Sequence, residues 1–153
     1  MAFLITFGFL VITLGLIAKY RSQLADFFLR LPVPPTWAAI IAALVFSVIE
    51  EAFINIASGT LHVLVGTVPP LVFFVFAFGK LGQIFHAKTI RYPLIALMLF
   101  GIFFEAFAGG SSERFQNPDS AGILVFGVVF CAITYAYTSI VGLTVMIERK
   151  RSP

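Results

Sequence analysis

Five long apolar stretches, separated by short polar connections, dominate the chain. They lie at about residues 1–18, 36–58, 61–86, 92–110 and 121–147. Each stretch is close to the roughly 20 apolar residues that a helix needs to cross the hydrocarbon core of a bilayer. In lipid, an α-helix satisfies its backbone polar groups within its own segment. The pattern therefore predicts an all-α, polytopic integral membrane protein with five transmembrane helices in a single transmembrane domain.

The connection between the first two stretches, residues 19–35, combines charged and large apolar side chains. Arg21, Asp26 and Arg30 alternate with residues such as Phe27. This mixture predicts a short amphipathic segment that lies along the membrane surface. Proline cannot continue a helix, so we expect the segment to end at its three prolines, which are Pro32, Pro34 and Pro35.

Lysine and arginine collect in alternate connections, which predicts the orientation of the chain. They occur in residues 19–30, 80–91 and 149–151, whereas the connection between the second and third stretches has none. Basic residues are retained on the cytoplasmic side of a membrane. We therefore expect the N-terminus outside and the C-terminus in the cytoplasm, most simply in a plasma or bacterial inner membrane.

Composition excludes several classes of protein. Hydrophobic residues make up 60% of the chain and charged residues 11%, whereas soluble domains average about 45–50% and about 25%. The net charge is only +3 and the basic residues are dispersed, so no nucleic-acid partner is expected. The expected partners are the lipid bilayer and, because the chain is small, further copies of itself or other membrane subunits. One cysteine, Cys131, leaves the redox compartment undetermined.

The second and fourth stretches resemble each other. Residues 41–53 read IAALVFSVIEEAF and residues 95–107 read IALMLFGIFFEAF, with six identities and no gap. The match predicts a tandem repeat of two helices, in which helices 2–3 and 4–5 are copies with the same orientation, as in some transporters. The alternative is coincidental similarity between apolar helices.

The repeat aligns two acidic residues inside the membrane, Glu51 and Glu105. An ionisable side chain there costs roughly 2.5–3.5 kcal/mol on insertion scales and is a functional candidate by default. Residues three or four apart share a helix face, which places Ser47 and Asn55 beside Glu51. Small residues on the matching face of the fourth helix, such as Gly101, predict that it packs against the second helix with the two carboxyl groups close together.

Two further residues are candidates for the same site. Glu50 lies about 100° around the helix from Glu51, where it can take a proton or meet a partner such as His62, Tyr135 or Tyr137. His62 is expected at the same side of the membrane as the glutamates. The predicted ligand or proton site is therefore Glu50, Glu51, Glu105, Ser47, Asn55 and His62.

Carboxylate and hydroxyl oxygens suit protons and hard cations better than copper or zinc. If a metal binds, Glu51 and Glu105 are the expected ligands. No motif identifies a cofactor or a catalytic residue.

A short motif resembles that of an enzyme family. IEEAF at residues 49–53 resembles the acidic Glu-Glu motif of small polytopic carotenoid cyclases, although the proline that usually precedes those acids is missing. The resemblance covers five residues, and it implies acid chemistry by Glu50 or Glu51 on a lipid-soluble substrate.

Three hypotheses for function follow. The first is an intramembrane carboxylate site that handles protons or a cation, in connection with transport. The second is a non-catalytic transmembrane subunit of a larger complex. The third is an intramembrane enzyme that acts on an isoprenoid or another lipid, with a glutamate as general acid or base.

Overall fold

A computed structural model of the chain describes residues 2–58, 64–107 and 121–149. These residues form five α-helices and no strand, which confirms the predicted all-α class. Their bounds are α1 Ala2–Leu29, α2 Pro35–Ser58, α3 Leu64–Ile84, α4 Arg91–Phe107 and α5 Ala121–Leu143. A π-helical segment, Thr144–Arg149, continues α5.

Helix α5 is the centre of the fold. All residues from Thr134 to Ile147 are buried, around the full circumference of the helix, as is expected when a helix is apolar on every side. Helix α5 packs against all four other helices, whereas among the described residues these four contact one another only in the order α1–α2, α2–α3 and α3–α4. The first four helices therefore form an arc around α5.

Small residues allow α2 and α5 to approach closely. Ala39, Ala42 and Ala43 are completely buried on one face of α2. A Cβ atom added to Gly142 of α5 would lie 3.0 Å from the Ala39 carbonyl oxygen and 2.8 Å from a methyl carbon of Val75. Glycine and alanine at such crossings let two helix backbones come near enough for extensive van der Waals contact.

Helix α1 differs from its prediction, because it continues to Leu29 instead of ending near residue 18. The predicted helix end near residue 18 is therefore wrong, and the location of residues 19–35 along a membrane surface stays a prediction. Nothing between residues 18 and 29 breaks a helix, and the prolines begin only at Pro32. Tertiary contacts also hold this part in the bundle, since Ala25 and Phe28 are buried.

Ion pairs tie the end of α1 to the end of α5. Arg21 lies 3.6 Å from a carboxylate oxygen of Glu148, and Arg149 lies 2.9 Å from one of Asp26. The other Glu148 oxygen accepts a hydrogen bond from the Ile90 amide, at 3.2 Å. The connection between α3 and α4 is thereby held at this same end of the bundle, where most of the basic residues lie. We call it the basic end.

The turn after α3 has a defined helix-ending geometry. His86 has a φ of 53°, in the left-handed region that non-glycine residues adopt uncommonly. The Ala87 amide donates to the Gly82 carbonyl and the His86 amide to the Gln83 carbonyl, which is the Schellman pattern. This arrangement fixes the direction in which the chain leaves α3.

Two helical stretches, Pro35–Phe53 and Leu124–Arg149, are long and apolar enough to cross a membrane. Val68–Ile84 is a shorter apolar helix. The same length and composition also occur in core helices of soluble proteins. The fold therefore supports a membrane location weakly by this criterion, and the five crossings stay a prediction.

We expect Gly142→Ala to lower the free energy of unfolding by about 1–3 kcal/mol, because the added methyl group overpacks the α2–α5 crossing. The matched control is Gly15→Ala in α1, where an added Cβ meets nothing within 4 Å. Alanine favours helices more than glycine does, so the control should be neutral or stabilising. Thermal unfolding in detergent measures both changes, and equal stability of the two variants would contradict the close crossing.

Candidate functional site

The inner face of α2 carries three polar residues in succession. Ser47 and Glu50 are completely buried and Glu51 is 4% exposed. They extend the buried face that begins with the alanines, because positions three and four residues apart repeat on one side of a helix. The Glu50 and Glu51 carboxyl groups are thus directed into the protein and not toward its surface.

Helix α5 supplies the polar groups that surround Glu50. Thr134 faces the Glu50 carboxyl across the α2–α5 interface, and Glu51 and Glu105 are close enough to act on it electrostatically. Tyr135, the next residue of α5, has its hydroxyl 3.3 Å from a carboxyl oxygen of Glu105, to which it donates a hydrogen bond. Cys131 lies one turn earlier and is within electrostatic reach of both Glu50 and Glu105. We call Ser47, Glu50, Glu51, Glu105, Thr134 and Tyr135 the carboxyl cluster.

The predicted packing of α2 against α4 is wrong, because α5 lies between them. Gly101 of α4 does mark a close approach, but its neighbour is the ring of Tyr135 on α5. The same ring stacks on Phe74 of α3 with centroids 6.4 Å apart. Side chains of α5 therefore lie between α2 and α4, the two helices that carry the carboxyl groups.

Several oxygen atoms of the carboxyl cluster are buried without a hydrogen bond of normal geometry. Within the described residues, these are both carboxyl oxygens of Glu50 and the hydroxyl oxygens of Ser47 and Thr134. Other hydroxyl groups of α5 are satisfied by their own helix: Thr138, Ser139 and Thr144 each donate to a carbonyl one turn earlier. Because an unsatisfied buried polar group costs about 1–3 kcal/mol, these oxygens lower the stability of the fold.

The remaining predicted residues lie partly outside what the structure describes. His62 is outside the described residues, and for Asn55 only the backbone, in α2, is described. In residues 2–58, 64–107 and 121–149, no three His, Cys, Asp or Glu side chains group closely enough to hold a metal ion. A metal held by Glu51 and Glu105 stays a prediction, as does the tandem repeat.

Sequence reasoning named Tyr135 only as a possible partner of Glu50, whereas it bonds Glu105, and it missed Thr134. Thr134, Tyr135 and Thr138 are polar positions in a helix that is otherwise almost wholly apolar, and polar residues within such a helix indicate an inward-facing function. The repeat also drew attention to Glu51, whereas Glu50 is the residue with no exposed surface. In the alignment of residues 41–53 with residues 95–107, Glu50 is paired with Phe104, so the repeat does not indicate that Glu50 is a site residue.

Comparison with known protein families, curated proteins and solved structures finds no match to this chain.

We expect Glu50→Met to raise the free energy of unfolding by about 1–3 kcal/mol, because an apolar side chain of similar length removes two buried oxygens that lack hydrogen bonds. Glu148→Met is the matched control. That carboxylate binds the Ile90 amide and Arg21, so its loss should be destabilising. Thermal unfolding in detergent compares the two, and a destabilised Glu50→Met variant would show that the carboxyl group only holds helices together.

Proposed function

We propose that this chain is a multi-pass membrane protein in which Glu50 takes up and releases a proton or a small cation during transport. The observation that carries the proposal is the complete burial of the Glu50 carboxyl group, with neither oxygen in a hydrogen bond of normal geometry. A group of this kind lowers stability. Its presence is best explained by a function that needs it.

The exposed aromatic residues support the membrane location. Tyr20, Trp37 and Tyr92 are 45%, 58% and 73% exposed, and all three lie at the basic end, next to Lys19, the prolines and Arg91. Tryptophan and tyrosine are enriched where a helix passes from lipid to water. The other two tyrosines, Tyr135 and Tyr137, are buried in the bundle.

The outer faces of the helices are strongly apolar. Large side chains on α1, α3, α4 and α5 are more than half exposed: Ile12 66%, Phe73 62%, Phe103 59% and Val125 62%. Soluble monomers rarely expose apolar surface on this scale. Lipid contact accounts for it, and it supports crossings by α1 and α4 in addition to the two longest apolar stretches.

The aromatic residues also give the depth of the carboxyl groups. Glu50 follows Trp37, and Glu105 follows Tyr92, by about 13 residues, or about 20 Å along a helix at 1.5 Å per residue. In a hydrocarbon core of about 30 Å, both carboxyl groups would lie well inside the bilayer. An acid at this depth marks an ion or proton pathway more often than a structural contact.

The oxygen atoms of the carboxyl cluster favour a proton or a cation as the ligand. The buried oxygens belong to Glu50 and Ser47 on α2 and to Thr134 on α5, and Glu51 and Glu105 act electrostatically on Glu50. Neighbouring carboxyl groups cannot all ionise at low cost, so they favour sharing a proton or binding a cation. Tyr135, which bonds Glu105, connects this region to α4.

The proposed topology has five crossings, with the N-terminus outside and the C-terminus in the cytoplasm. In a Cys131→Ala background, we expect Ser112→Cys to react with a membrane-impermeant maleimide in intact cells. Lys88→Cys should react only after the membrane is opened, because basic connections stay on the cytoplasmic side. Labelling of both positions in intact cells would contradict the topology.

The transport proposal is tested with purified protein in liposomes that contain a pH-sensitive dye. After a pH jump with the membrane potential clamped, wild-type vesicles should equilibrate faster than empty ones, with protons alone or with Na⁺ as the exchanging ion. We expect Glu50→Gln to slow the flux by about tenfold or more, because an amide cannot exchange a proton, and tenfold corresponds to only about 1.4 kcal/mol.

Asp26→Asn serves as the control, because Asp26 lies at the basic end and pairs with Arg149. It should keep the wild-type flux. Labelling with a hydrophobic carbodiimide adds a second readout: the reagent should modify Glu50, and Na⁺ should slow the reaction if the ligand is that cation. Wild-type flux equal to that of empty vesicles, or an unaffected Glu50→Gln variant, would refute the transport role and favour a subunit or an enzyme.

A further inference from the structure

A second feature of the molecule lies apart from the carboxyl cluster, between α3 and α4 at the basic end. Here the two helices leave an apolar groove of about 360 Å³ that opens to the surface. Its walls include Phe78, Leu81 and Phe85 of α3 and its end, and Tyr92, Pro93 and Ala96 of α4. An open groove of this composition accepts a flexible hydrocarbon chain.

Two basic residues are sequence neighbours of residues that line the groove. Lys88 directly follows the lining residue Ala87, and Arg91 directly precedes Tyr92; both cations are exposed. Among the described residues, the ion pairs at this end use Arg21 with Glu148 and Arg149 with Asp26. Neither Lys88 nor Arg91 takes part in an ion pair within the described residues.

The connection that carries these cations is held in place before any partner arrives. The Schellman turn at His86 fixes its start. The hydrogen bond from the Ile90 amide to Glu148 anchors it between Lys88 and Arg91. A fixed connection loses little conformational entropy when a ligand binds, which favours a defined site over loose attraction.

From this arrangement we propose that the α3–α4 groove binds one anionic phospholipid, with an acyl chain in the groove and the phosphate between Lys88 and Arg91. Arginine can bind a phosphate through two parallel hydrogen bonds, and lysine adds a compact charge. The exposed ring of Tyr92 beside the groove places its mouth at the level of lipid headgroups. The inference rests on the membrane location proposed above, and it does not depend on the Glu50 site.

The experiment uses the full chain reconstituted in nanodiscs of phosphatidylcholine and phosphatidylglycerol, followed by gentle release and native mass spectrometry. We expect the wild type to retain one phosphatidylglycerol in preference to phosphatidylcholine. The Lys88→Gln, Arg91→Gln double variant should lose this retention by about tenfold or more, since each basic residue near an anionic surface contributes about 1 kcal/mol.

The matched control is the Lys19→Gln, Arg30→Gln double variant, which removes the same charge from exposed positions of the basic end away from the groove. It should retain the lipid. A second test is Ala96→Phe, which fills the groove from an exposed position and keeps both cations; it should also lose the bound lipid.

Equal loss in both charge variants would show general attraction to an anionic surface and overturn the specific site. Unchanged retention in the Lys88→Gln, Arg91→Gln or Ala96→Phe variant would overturn it as well. An alkaline wash of wild-type vesicles separates this inference from the proposed function. Release of the protein by the wash would refute the membrane location, whereas firm association without retained phosphatidylglycerol would refute the lipid site alone.

Discussion

The close packing of one central helix is the constraint on which the rest of this structure depends. Helix α5 is buried on all sides from Thr134 to Ile147, and α2 reaches it through alanines that face Gly142. In a lipid environment there is little hydrophobic driving force between helices, so association depends on this kind of van der Waals contact. Because α5 is buried from Thr134 onward, a polar side chain in that part meets another helix or its own backbone.

This geometry explains why the carboxyl cluster forms where it does. The polar residues Thr134 and Tyr135 are adjacent on α5 and point to different neighbours, Thr134 toward Glu50 on α2 and Tyr135 toward Glu105 on α4. Adjacent residues of α5 thus contact Glu50 and Glu105, although α2 and α4 do not contact each other within the described residues. Thr138 and Ser139, farther along α5, bond to their own backbone, whereas both Glu50 carboxyl oxygens and the Thr134 hydroxyl oxygen lack a hydrogen bond of normal geometry.

Acidic side chains at the basic end have different surroundings from Glu50 in the interior of the bundle. At the basic end, Glu148 and Asp26 are satisfied by ion pairs and by a backbone amide, which hold α1, α5 and the α3–α4 connection together. Farther in, Glu50 has no such partners among the described residues. Glu148 and Asp26 therefore stabilise the fold, whereas the buried Glu50 carboxyl group destabilises it. Buried groups that lack hydrogen bonds in this way are typical of functional sites.

The sequence by itself determined the all-helical class and most helix positions, because length and hydropathy are local properties. Pro32 and Pro34 also separate α1 from α2, although Pro69 and Pro70 lie inside α3. It also identified Glu50, Glu51 and Glu105 as candidates, since acids in apolar stretches are visible without a fold. Only the tertiary structure decided that α1 continues to Leu29, that α5 separates α2 from α4, and that Thr134 faces Glu50. These three features depend on which helix faces pack together. Several helix faces of this chain are similarly apolar, and the small residues at the α2–α5 crossing favour one packing among them.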